Sequence, residues 1–106
     1  MYKVYAGTIT AGTSPLILNT YADTGGFINS GFVSNDDVTA SIQVSISISS
    51  ESIAIGSVVW EDAYTLLKGE ILTLEGMGPI RAIKLTRVAA DCAYRAMVSN
   101  EKLGVQ

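Results

Sequence analysis

Histidine is absent from the 106-residue chain. That removes the commonest general base, the commonest metal ligand and the commonest pH switch together. Any chemistry must come from one cysteine, the carboxylates, the glycine turns or the aromatic residues. Cys92 has no imidazole to activate it, and Arg95 is the nearest group in sequence that could lower its thiol pKa. Its setting, Ala89-Ala90-Asp91-Cys92-Ala93-Tyr94, reads as the small-residue start of a strand, where a cysteine is a buried structural residue.

Carboxylates are paired at Asp36-Asp37 and at Glu61-Asp62. Glycoside hydrolysis needs two carboxylates facing one another across a cleft, whereas adjacent residues on a strand point apart. Ser34-Asn35-Asp36-Asp37 carries ordinary turn chemistry, with calcium at this oxygen-rich loop as the competing reading. Gly76-Met77-Gly78-Pro79 lacks the lysine and the following helix of a phosphate cradle, and Gly25-Gly26 precedes a strand. Both are turns. Trp60, with Tyr64 and Tyr94, could form a sugar-stacking platform, but nothing in their spacing places them together. Core or subunit contact is the plainer role for Trp60. No catalytic residue, cofactor or metal is therefore expected, and the chain is not read as an enzyme.

The elements that hold these residues alternate with period two almost throughout. Ala40 to Ser49 is apolar at every even position and polar at every odd one, so Ile42, Val44, Ile46 and Ile48 should line a buried face, with Ser41, Gln43, Ser45 and Ser47 opposite. Further strands are predicted over 2–9, 15–21, 27–33, 53–60, 70–74, 80–88 and 92–98. The sum is eight, at the spacing of an antiparallel β-sandwich or jelly roll. The 53–60 run, Ile-Ala-Ile-Gly-Ser-Val-Val-Trp, is apolar on both faces, which predicts a central or interface strand. Ile80 and Ala82 are apolar on even positions, Ile83 and Leu85 on odd ones, which predicts a β-bulge near Ala82. At most one helical turn is expected, over 61–68, with Gly69 as its C-terminal cap.

Length sets a single domain over 1–106, with a short flexible tail about 100–106. Hydrophobic residues make up 48% and charged residues 16%, a composition incompatible with intrinsic disorder. The net charge of −3 argues against nucleic acid as a partner. No apolar run is long enough for a membrane helix, and the start has no secretory pattern, so an origin in the cytoplasm is expected. Lys3 is the only basic residue before position 60. Arg81, Lys84, Arg87 and Arg95 fall on two strands expected to pair near the C-terminal end. They form either a solvated face or a basic stripe that docks an acidic neighbour.

The stretch from Val59-Trp60-Glu61-Asp62-Ala63-Tyr64 to Lys68-Gly69-Glu70, the segment Met77-Gly78-Pro79-Ile80-Arg81-Ala82-Ile83-Lys84-Leu85-Thr86 and the closing Cys92 to Val98 resemble small all-β virion proteins of tailed bacteriophages. These decorate or cement capsids or complete the head and tail. The likeness covers about the last 45 residues of the chain. It implies a structural role in a virion assembled in host cytoplasm, with no catalytic residues. Independently, mean hydropathy is positive, and surplus apolar surface on a small β-domain implies a partner. Self-association is expected, with a trimer as the first form, together with binding to the major capsid protein. The candidate interface residues are Ile53, Ile55, Val59, Trp60, Arg81, Lys84, Arg87 and Arg95. The alternative is a carbohydrate-binding or adhesin-like sandwich using Trp60 and the tyrosines.

Overall fold

Two four-stranded antiparallel sheets, described over residues 1–100 of a computed structural model, pack as a β-sandwich. The strands are β1 (Tyr2–Ile9), β2 (Leu16–Leu18), β3 (Ser30–Asn35), β4 (Ile42–Ser47), β5 (Tyr64–Leu66), β6 (Ile71–Thr73), β7 (Ala82–Arg87) and β8 (Cys92–Ser99). One sheet has the order β1-β8-β3-β6 and the other β2-β7-β4-β5. The alternation in the sequence sets the core. Ile42, Val44 and Ile46 of β4 and Ile83 and Leu85 of β7 face Val33 of β3 and Tyr94, Ala96 and Val98 of β8. The fully or nearly buried aliphatic side chains are the main source of stability, each contributing about 1.5–3 kcal/mol on burial.

Several local expectations change. The 53–60 segment is not a strand. It holds a 3₁₀ turn at Ile55–Ser57 within the long connection from β4 to β5. Its apolar residues pack as a loop against sheet rather than pairing with it, a tertiary override of β propensity. Residues 61–68 form no helix; Tyr64–Leu66 is strand β5, paired to Ile42–Val44. Among the described residues the one α-helix, α1, spans Thr20–Thr24. It ends at Gly25, whose φ of 80° supplies the left-handed cap. Ile48 lies beyond the end of β4 and is 50% exposed. The proposed tail falls on residues 101–106, outside those described; Asn100 is held by bonds from its amide to Thr24.

No residue is inserted near Ala82. The β7–β4 ladder runs unbroken from Ser47–Ala82 to Ile42–Arg87. The change of phase arises because Ile80 belongs elsewhere. It pairs through two backbone bonds with Ile28, ahead of β3 in the other sheet. Ile28 and Ile80 are both fully buried, so this bridge stitches the two sheets at one end.

Candidate functional site

Strands β7 and β8 lie in different sheets, so the expected basic stripe does not form. Arg95 points outward from the β8 sheet and binds Asp36 at 2.6 Å. Arg87 pairs with Asp91 at 3.1 Å. Arg81 is turned inward, 6% exposed. Its guanidinium donates to Asn19 Oδ1 and the Ile53 carbonyl and lies over the Tyr21 ring. Its own backbone bonds Ser47 and Tyr21. Arg81 thus ties α1, the β4–β5 connection and the end of the sheet together. Its Nε has no partner among the described residues. Lys84 lies over the Trp60 ring, 5.1 Å from its centroid.

The remaining interface candidates sit on the β4–β5 connection, which folds back over the outside of its own sheet. The outward side chains Ser45, Ser47 and Ala82 are buried. Lys84, paired with Ser45 across the ladder, carries Trp60 on that same side. Ser47 and Ser49 join by their hydroxyls, and Ser49 Oγ accepts from the Val59 N–H. Val58 is buried, Ile53, Ile55 and Trp60 are half-buried, and Val59 is 66% exposed. This strap covers the Ser45, Ser47 and Ala82 part of the outer face of the β2-β7-β4-β5 sheet, while Ile17, Gln43 and Thr65 on that face stay exposed.

Among the described residues no such strap crosses the other sheet. Strand register aligns Val4, Met97, Phe32 and Thr73 in one row across β1, β8, β3 and β6. Ala6, Arg95, Ser34 and Ile71 form the next row. Tyr2 is 63% exposed, Val4 55% and Ile71 60%, while Phe32 and Met97 are half-buried. Apolar side chains therefore occupy the outward face as well as the core face of this sheet. Sequence reasoning assigned the surplus apolar surface to 53–60. The alternation of Tyr2, Val4 and Ala6 was visible, but only pairing across strands far apart in sequence brings them beside Met97 and Phe32.

The chemical candidates are engaged by the chain itself. Asp37 accepts backbone N–H bonds from Thr39, Ala40 and Ala93, which hold its carboxyl down at about 2. Asp36 accepts from Arg95 and Ser34, and those bonds lower its pKa as well. The Asp36-Asp37 pair therefore closes a turn with its oxygens filled. No group of three His, Cys, Asp or Glu that could hold a metal occurs among the described residues. Cys92 is buried facing Asn35 Oδ1 at 3.1 Å, and burial pushes the thiol up to about 11. Arg95 sits on the opposite face of β8, so it does not activate that thiol. The aromatic residues are dispersed: Tyr94 is buried, Tyr21 packs edge-on to Phe27, and Tyr64 is exposed on β5. A cleft of about 540 Å³ runs between the strap and the 76–77 turn, lined by Ile46, Ile48, Glu61, Asp62, Tyr64 and Met77 among others. Tyr64 is the one aromatic ring on its wall.

No family model, curated relative or solved structure matches the chain.

Proposed function

We propose that the chain is a structural assembly subunit, of the kind that decorates or cements the head of a tailed bacteriophage. In this reading it self-associates and binds the major capsid protein lattice. The observation that carries the reading is the outer face on which Tyr2, Val4 and Ile71 are exposed beside half-buried Phe32 and Met97, with no strap over it among the described residues. A sandwich needs one apolar face per sheet, and a second one on a charge-poor domain supports a protein partner. The strap reduces the corresponding surface on the opposite sheet, which favours the β1-β8-β3-β6 side for that partner. The sugar-binding alternative draws less support, because its aromatic residues do not converge on one surface.

Co-sedimentation with empty tailed-phage heads is the direct test. The protein should pellet with the heads and raise their thermal transition, since a ligand that binds only the assembled lattice stabilises it by mass action. A double substitution, Val4→Asp with Phe32→Asp, should abolish pelleting. No pelleting by the unmodified protein, with an unchanged head transition, would sink the reading.

A further inference from the structure

Three of the four sheet edges are short: β2, β5 and β6 have three residues each. Strand β1 is different. It is an edge of eight residues with no proline and one charge, Lys3. Natural sheets blunt their edges by shortness, proline, bulges or charge, because a free edge templates pairing with another chain. β1 carries almost none of these devices.

The direction of its free bonds follows from the ladder. Asn100 N–H donates to the Met1 carbonyl, so Met1–Asn100 is a hydrogen-bonded pair. Antiparallel pairs alternate. Lys3, Tyr5, Gly7 and Ile9 therefore turn their N–H and C=O toward β8. Tyr2, Val4, Ala6 and Thr8 turn theirs away, and no backbone partner meets them among the described residues. The Asp36 N–H to Ala93 carbonyl bond gives the complementary parity on β8, whose odd residues bond β3.

We propose that the β1 edge pairs antiparallel with β1 of a second copy about a two-fold axis at Tyr5, joining the two β1-β8-β3-β6 sheets into one. The strand is self-complementary in that register. Tyr2 meets Thr8 of the second copy and Val4 meets Ala6, using every outward amide in about eight hydrogen bonds. Lys3 meets Gly7, so its charge opposes no charge. The two lysines stand roughly 14 Å apart along the strands, beyond the screening length at physiological salt. On the outward face, the Val4-Met97-Phe32 row of each copy runs on across the seam into the Ala6-Arg95-Ser34 row of the other. This inference rests on the self-associating reading above and gives it a two-fold contact in place of the trimer expected from lattice symmetry.

Two measurements on the full chain test it. Sedimentation should give twice the chain mass at high concentration. Val4→Pro removes one outward N–H and leaves the β8 ladder intact, so it should return the mass to one chain with its far-ultraviolet spectrum unchanged. Ala6→Lys should act alike without altering the backbone. Amide exchange should slow at least tenfold on concentration at Tyr2, Val4, Ala6 and Thr8, while Lys3, Tyr5 and Gly7 stay protected at every concentration. A monomer throughout, or a dimer indifferent to both substitutions, overturns the proposal. An oligomer whose even-numbered amides exchange freely also overturns it, yet leaves the assembly reading standing. Failure to bind phage heads by a dimer with protected even-numbered amides sinks that reading alone.

Discussion

Asp37 shows how one carboxylate can hold a turn. Three backbone N–H groups converge on it, two from Thr39 and Ala40 and one from Ala93 across the loop. Its pKa falls to about 2 in the folded protein, against about 3.9 in an unfolded chain. The stabilisation is full above pH 4 and is lost as pH falls toward 2. The melting temperature should therefore drop over that window, and Asp37→Asn should lower it at pH 7 and flatten the acid dependence. Thermal melts at pH 2 to 7 check both. Cys92 has the opposite shift. Its thiol should resist alkylation at pH 8 in the native protein and react on unfolding, as mass spectrometry would report. Gly31 has a φ of 130°, and a Cβ there would stand 2.0 Å from the Met97 carbonyl oxygen. Gly31→Ala should cost at least about 2 kcal/mol in denaturant unfolding, because backbone blocks it on the neighbouring strand.

At the scale of elements, β4 was the most legible part of the sequence. Six residues alternate apolar and polar, and Ile42, Val44 and Ile46 are in the core. Val44→Asp should cost several kcal/mol by leaving an unpaired charge in that core, measurable as a collapse of the denaturant midpoint. Less legible were the segments whose placement depends on distant partners. Ile53 to Trp60 has the composition of a strand, yet it pairs with no strand and lies as a strap beside Ser47 and Lys84. Tyr64 to Leu66 looked helical from its flanking acids and Gly69, yet β4 offers it a free edge and pairing prevails. From the sequence Arg81 reads as part of a solvated face or basic stripe. Its burial follows from the Asn19, Ile53 and Tyr21 contacts, which span 62 positions of sequence. Arg81→Met should leave the sandwich folded and loosen the strap, seen as faster amide exchange over 53–59.

Across the whole molecule, the sandwich class could be derived from local alternation, because each strand buries one face whatever its neighbours are; the total of eight strands agrees only in sum, since 53–60 forms none and Tyr64–Leu66 forms one. Which strands adjoin could not, since pairing is set by loop closure and register rather than by composition. The candidate surface shares that limit. Tyr2, Val4, Phe32 and Met97 lie far apart in sequence and meet only through β1-β8-β3 pairing. Among the described residues the two faces of the molecule consequently differ, one partly covered by the strap and one without it.

The position of β8 has a consequence in time. It is the last of the eight described strands in chain order, yet it lies between β1 and β3 at the middle of its sheet. During synthesis β1 emerges before the other described strands, and the strand it pairs with follows only after all of them. The β2-β7-β4-β5 layer can close one strand earlier. Translation therefore cannot lay the sandwich down from its start, and long-range closure of this kind slows folding. Nascent chains stalled ahead of Cys92 should remain protease-sensitive over 1–9, and a stall placed beyond Ser99 with the last strand clear of the exit should protect that segment.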